Sequence, residues 1–295
     1  MSTDAPPKLT ITALADLTRR GERITSVTAY DYPSGRLADE AGIDIVLVGD
    51  SAAMTVLGYD STLPISVEEM LTFTGAVVRA VRRAVVVADM PFGSFQVSDA
   101  SAVGNAVRFA REGGADAVKI EGAGPSVARA RAIVDAGIPV MGHIGLTPQS
   151  VTKLGGYRAQ GRTADAAHQL VQDAKSLEAA GCFAIVLEAM PAIVAAHITD
   201  AVDVPTIGIG AGPSCSGQVL VWHDLLGLSP GRVPKFVKEY AHLRDDIRSA
   251  LGRYAADVRA GEFPTAEHTY PMAEDERVRF EQRRDAVPAA SKGHR

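Results

Sequence analysis

Short runs of β-branched and other apolar residues recur along this chain, each ending in polar residues or glycine, and most precede a stretch with helical spacing. Eight stand out: ITSVTAY (24–30), DIVLVGD (44–50), AVVVADM (84–90), AVKIEG (117–122), PVMGHIG (139–145), AIVLEAM (184–190), PTIGIGA (205–211) and QVLVWHD (218–224). They are apolar almost continuously, the pattern of parallel strands covered on both faces. Between them, Val103, Ala106, Val107 and Ala110 trace one helical face, and Ala167, Leu170, Val171, Ala174 and Leu177 trace another. Eight strand–loop–helix units predict an α/β fold closed as a (β/α)8 TIM barrel. An open doubly wound sheet usually has fewer strands and a GxGxxG after its first strand, which this chain lacks.

The ends depart from that rhythm. Before the first strand, ITALADLTRRG predicts an extra helix, stopped by Gly21, that plugs the barrel bottom. After the eighth, a polar and apolar segment from 234 to about 260 predicts closing helices. Residues 1–273 thus read as one barrel domain with an N-terminal helix. Residues 274–295 are charged, lack an apolar stripe and read as a polar, mobile C-terminal tail. Loops 51–66 and 146–163 are longer than connection requires, and long loops on the C-terminal face of a barrel build or cover the site. The second carries Lys153, Arg158 and Arg162 beside glycines, which suits a lid, an anion contact or a solvated loop.

Composition narrows the function. A chain of 295 residues, 46% hydrophobic, fills a sizeable core, and a net charge of −5 with interspersed signs leaves no basic face for nucleic acid or anionic lipid. No segment approaches the roughly 18 uninterrupted apolar residues of a membrane span, and the N-terminus has no apolar export core. Two cysteines, Cys182 and Cys215, far apart, read as free thiols in a reducing compartment, the cytoplasm.

The last residues of successive strands are chemically unusual: Asp50, Asp89, Lys119 with Glu121, His143 and Glu188 come from strands two to six. Barrel active sites draw on the ends of several strands because those ends converge at the mouth. Lys119 and Glu121, two apart, share one side of strand four. An acid after a strand is often a cap for the next helix. Here the positions argue against it: a long loop separates Asp50 from the helix beginning near Ser66, Ser98 or Asp99 is the better cap after Asp89, and Pro125 is the first helical residue after Glu121. Three carboxylates at one mouth repel one another unless a cation sits among them, so the pattern points to a hard metal ion such as Mg2+, with a plain salt-bridge cluster as the alternative. Lys119 then neutralises Glu121, receives a substrate carboxylate, or does both. Glu188 ends an otherwise apolar strand across the rim and is the candidate proton acceptor, or else a carboxylate paired with a loop cation. His143 alone fits a core histidine as well as a ligand contact. Glycines 208, 210 and 212 permit phosphate binding by bare amides or simply close packing.

The rim residues are set in longer strings: VTAYDYPSGRLADEAGIDIVLVGDSAAM, GYDSTLPIS, VADMPFGSF, VKIEG, VMGHIGLTPQSV, GGYRAQGR, VLEAMP and IGIGAG. In order and without a large gap from about 8 to 272, they resemble the ketopantoate hydroxymethyltransferases of pantothenate and coenzyme A synthesis. That family is a (β/α)8 barrel related to the phosphoenolpyruvate mutase and isocitrate lyase group. The resemblance implies Mg2+-assisted enolate formation and transfer of a hydroxymethyl group from 5,10-methylenetetrahydrofolate to 3-methyl-2-oxobutanoate, giving ketopantoate. It implies metal ligands at Asp50, Asp89 and Glu121, and substrate contacts at Asp50, Ser51, Asp89, Lys119 and His143. It also implies a catalytic base at Glu188 and a homo-oligomer, a decamer. The chain departs from the family pattern at Ser216, where an acidic residue is expected, and at Ala52 and Ala53, where a Leu-Gly pair is expected. Two other readings are a folate-independent, Mg2+-dependent 2-oxo acid lyase or mutase, whose catalytic cysteine loop is missing here, and a catalytically silent barrel, which would have lost a rim ligand.

Overall fold

A computed structural model describes residues 7–229, 231 and 233–285, and in it the eight expected strands form and close on themselves. The chain runs α1 (Ile11–Arg19), β1 (Ile24–Thr28), α2 (Tyr32–Glu40), β2 (Ile45–Val48), α3 (Ala52–Thr55), α4 (Val67–Ala80), β3 (Val85–Asp89) and α5 (Asp99–Arg111). It continues through β4 (Ala117–Glu121), α6 (Pro125–Asp135), β5 (Val140–Gly145), α7 (Val151–Leu154), α8 (Ala164–Ala179), β6 (Ala184–Glu188) and α9 (Ala192–Ala201). Last come β7 (Thr206–Ile209), β8 (Gly217–Leu220), α10 (Trp222–Leu225), α11 (Leu243–Ala260) and α12 (Glu274–Asp285). Each strand pairs in parallel with the next, and β8 returns to β1. Such closure leaves no exposed strand edge.

Strand alternation divides the core in two. Val46, Val86, Val118 and Ile185 point outward and pack with Phe109, Ile133 and Leu177 of the surrounding helices. Ile45, Leu47, Val85, Val87, Met141 and Val186 point inward. Continuing the inward parity to the strand ends gives Asp89, Glu121, His143 and Glu188, so the period of two that fills the barrel also delivers polar side chains to its mouth. Below, α1 plugs the barrel as expected. Thr10 caps it, Gly21 ends it at φ +74°, and Leu14 is buried against Ile24, Ile45 and Val85. No described helix is long and apolar enough to cross a membrane.

The caps leave the rim acids free. Ser66 and Glu69 form a capping box on α4, Ser98 caps α5, and Pro125 opens α6. Both long loops hold short helical turns, which the sequence reading missed: α3 in the first, and a 3-10 turn at Pro148–Ser150 followed by α7 in the second. Runs of four residues are too short to show a period.

The C-terminal expectations need correction. Contacts separate the chain into two compact units, Met1–His242 and Leu243–Arg295, so the boundary does not fall at 273. Of the segment 234–260, only Leu243–Ala260 is helical. In the second unit, Phe263 packs edge-on against Tyr254 and His268. Glu274–Asp285 is a helix where a polar tail was expected. Ion pairs one turn apart, Arg277 with Glu274 and Glu281 and Arg279 with Glu276, support it without an apolar stripe, each such pair adding about 0.2–0.5 kcal/mol. The rest of that tail, 286–295, lies outside the described residues.

Gly145 ends β5 opposite Glu188 at φ +97°, and a Cβ there would collide with the Glu188 carbonyl oxygen. Gly137 has a similar φ of +88° but open space around it. Gly137→Ala is expected to cost about 1–2 kcal/mol, from backbone strain alone. Gly145→Ala should cost clearly more, because β5 and β6 must part. Urea denaturation of the two variants measures the difference, and equal losses would contradict it.

Candidate active site

Asp50 leaves the end of β2 through Gly49, whose missing side chain matters: a Cβ would stand 2.7 Å from the Ser51 hydroxyl. The turn brings the Asp50 backbone N–H to Asp89 Oδ2 at 3.0 Å and buries both carboxylates. Lys119, inward on β4, places Nζ 3.0 Å from Asp89 Oδ1, 3.7 Å from Glu121 Oε1 and 3.2 Å from His143 Nδ1. His143 in turn lies 3.4 Å from Glu121 Oε1 and, through Nε2, 3.1 Å from Glu188 Oε2. Asp50, Asp89, Lys119, Glu121 and His143 are all between 2% and 5% exposed, while Glu188 opens further to the cavity. One continuous polar cluster therefore runs across the mouth from Asp50 to Glu188.

Burial raises Asp50 well above the usual carboxylate range, helped by the negative charges of Asp89 and Glu121. Burial also raises Asp89, against the opposing pull of Lys119. For Glu121 burial pushes the same way, but the His143 hydrogen bond and the Lys119 charge outweigh it and hold the group low. Lys119 stays firmly protonated: desolvation is overcome by Asp89, Glu121 and Asp50. For His143, burial and Lys119 favour the neutral ring, but Glu121 and Glu188 lift it to about 9.

His143 faces Glu121 and Glu188, so at the other end the Asp50–Asp89 pair has only the Lys119 ammonium beside it. Gln149 donates to Asp50 Oδ2, and Asp50 Oδ1 accepts no hydrogen bond from the described residues. Asp89 Oδ1 is buried with an ion pair but no well-directed hydrogen bond. Two hard oxygens short of donors suit a hard divalent cation. No three His, Cys, Asp or Glu side chains among the described residues are arranged to hold a metal by themselves. Both oxygens of Glu121 are engaged: Oε1 faces Lys119 and His143, and Oε2 accepts the Gln149 backbone N–H at 3.0 Å.

The Ser51 hydroxyl sits 2.9 Å from that of Tyr30, which is buried and also accepts from Thr28. Ser51, Thr28 and Glu188 line a cavity of about 2230 Å³ that also reaches Tyr157, Arg158 and Arg162 but not Lys153. Tyr157 bridges toward α3, its hydroxyl 3.8 Å from Met54 Sδ. The strand-seven glycines serve close packing: a Cβ at Gly208 would crowd Cys215, at Gly210 the Phe236 ring, and at Gly212 Ala192. Ser216 exchanges hydrogen bonds with Thr206 between β7 and β8, and Ala52 and Ala53 are buried behind Asp50. Gln149, Tyr30 and Tyr157 went unmarked in the sequence, since residues beyond the strands carry no period, although all three fall inside the recognised strings.

The family model for ketopantoate hydroxymethyltransferase matches residues 8–266. This chain belongs to the ketopantoate hydroxymethyltransferase family. Curated relatives named 3-methyl-2-oxobutanoate hydroxymethyltransferase include one from Moorella thermoacetica, 57% identical over 89% of this chain and 98% of its own length. Another, from Carboxydothermus hydrogenoformans, is 53% identical over 90% of this chain and 96% of its own. A rice relative named as mitochondrial is 55% identical over 90% of this chain and 68% of its own. Among solved structures, a phosphonopyruvate hydrolase complexed with oxalate and Mg++ aligns with a TM-score of 0.58 at 14% identity, covering 97% of this chain and all of that one. A 2,3-dimethylmalate lyase of the phosphoenolpyruvate mutase/isocitrate lyase superfamily aligns at 0.56 and 15%, covering 94% and 99%. These two show the fold. Membership of the ketopantoate hydroxymethyltransferases makes the chain a transferase, and the lyase, mutase and silent-barrel readings give way.

The electrostatics of this site predict a pH effect. A folded-state pKa raised above the unfolded value, as for Asp50, contributes stability that is full below the unfolded value of about 3.9 and is lost as pH rises through the folded one. In chelator at pH 8, Asp50→Asn is therefore expected to raise Tm, and the gain should shrink as pH falls. Thermal melts across that range test the sign.

Proposed function

We propose that this enzyme transfers a hydroxymethyl group from 5,10-methylenetetrahydrofolate to 3-methyl-2-oxobutanoate, with Mg2+ as its resident cation. The observation that carries this reading is the meeting of the Asp50–Asp89 pair with Glu188, through Lys119, Glu121 and His143, in one cavity at the barrel mouth. Asp50 and Asp89 are the direct Mg2+ ligands, and Glu121 acts from behind, fixing Lys119 and His143. When bound, the cation supplies Lewis-acid polarisation of the 2-oxo and carboxylate oxygens of the oxo acid. Lys119 and the Ser51 hydroxyl receive that carboxylate. Glu188 takes the proton from C3, with His143 holding its carboxylate in place 3.1 Å away.

One C–N bond of the donor's methylene group opens as that nitrogen takes a proton, water adds its oxygen to the methylene carbon, and the second nitrogen leaves with its electron pair and is protonated, releasing the carbon at the formaldehyde level. The C3 carbanion bonds to that carbon, and its oxygen takes the proton held by Glu188. Donor, oxo acid and one water balance to ketopantoate and tetrahydrofolate. The cavity exceeds the roughly 300–1,000 Å³ of a pocket for one drug-sized ligand, as two substrates require. Arg158 and Arg162 on its rim suit the anionic glutamates of the folate. Exposed Val97 and Ile193 are apolar surface of the kind a homo-oligomer, a decamer by family likeness, would cover. Buried free thiols at Cys182 and Cys215 fit a cytoplasmic setting.

Purified protein incubated with both substrates is expected to form ketopantoate with Mg2+ and to stop in excess chelator. Glu188→Gln should lower kcat about 10²- to 10⁴-fold while still binding the oxo acid. Asp50→Ala should lose Mg2+ binding itself. Ketopantoate yield and calorimetric titration of oxo acid separate the two, and turnover by Glu188→Gln at the wild-type rate would remove the base assignment.

A further inference from the structure

Gln149 belongs to no strand and to no expected site, yet it is 5% exposed and touches three strand ends at once. Its backbone N–H donates to Glu121 Oε2 at 3.0 Å. Its side-chain Nε2 donates to Asp50 Oδ2 at 2.9 Å and to the Met90 carbonyl oxygen at 3.0 Å. Its Oε1 accepts from Gln96 Nε2 at 3.2 Å. Amide orientation is normally an assignment. Here it is fixed from an unambiguous end. The Gly93 backbone N–H can only donate, and it meets Gln96 Oε1 at 2.7 Å. Gln96 must therefore present its NH2 to Gln149 Oε1, and Gln149 must present its NH2 to Asp50. Turning the Gln149 amide over would set an oxygen against a carboxylate and a carbonyl, and one NH2 against another.

We infer that Gln149 is a positioning residue for metal binding: the directed chain from Gly93 through Gln96 and Gln149 holds Asp50 Oδ2, so that Oδ1 is the oxygen turned to the cation. The inference rests on Asp50 and Asp89 being the Mg2+ pair. Oriented outer partners of metal ligands are worth about 10- to 100-fold in affinity. Gln149 also opens the loop that carries Tyr157 and Arg158, so the donor side of the cavity and the cation site share one anchor.

The test is calorimetric titration of the purified full chain with MgCl2, together with the Mg2+ dependence of ketopantoate formation. Q149M keeps the length of the side chain and removes its amide donors. It is expected to raise the Mg2+ dissociation constant about 10- to 100-fold and to recover most of its kcat at saturating Mg2+. A residue that merely packed the loop would leave the Mg2+ constant where it was. Q96L, which frees the Gln149 amide to turn without removing it, should shift the constant in the same direction by less, and it decides the matter if Q149M does not fold. An unchanged Mg2+ constant in the folded variant, with wild type binding normally, overturns the inference alone. A wild type that fails to bind Mg2+ removes both the inference and the metal reading beneath it.

Discussion

The arrangement depends on burying like charge. Asp50, Asp89 and Glu121 are brought out of water within reach of a single ammonium, that of Lys119. Buried carboxylates are tolerated when paired and hydrogen-bonded, and they drift toward protonation when they are not. Glu121, with His143, Lys119 and the Gln149 N–H around it, is held ionised. Asp50, farther from the ammonium, is pushed up. The asymmetry is what the proposed roles rest on: the satisfied carboxylate as framework, and the less satisfied pair as the place where a cation would lower the free energy most.

The barrel makes this possible. Parallel register sets Asp89 beside Lys119 and Glu121 beside His143, so charged neighbours face each other on adjacent strands rather than across open solvent. Asp50 is the exception. It leaves the inward parity of β2 and reaches the cluster only because Gly49 lets the backbone turn against Asp89. A packed lower interior, closed by Leu14, keeps the strands in place while their upper ends carry groups that disfavour burial.

Much of the site was legible because it follows a short period. Eight apolar runs gave eight strands, and residues at their ends gave Asp89, Lys119, Glu121, His143 and Glu188. Local chemistry gave the cap at Ser98 and the stop at Gly21. Gln149 and Tyr30 were not legible as contributors. Gln149 meets Asp50 across 99 positions of sequence and Tyr30 meets Ser51 across 21, and no local pattern encodes such a meeting. At the far end, ion pairs one turn apart made a helix of Glu274–Asp285 that an apolar-stripe criterion passes over.

The sequence by itself determined the barrel, the family and the inventory of reactive groups, because hydrophobic period, capping chemistry and ordered motifs are all short-range properties of a chain. Tertiary structure alone decided how those groups divide the work. That Lys119 stands closest to Asp89, that Glu121 faces Lys119, His143 and the Gln149 N–H, and that a loop glutamine hydrogen-bonds Asp50 are all matters of ångströms between distant segments. Electrostatic energy in a buried site varies over just those distances.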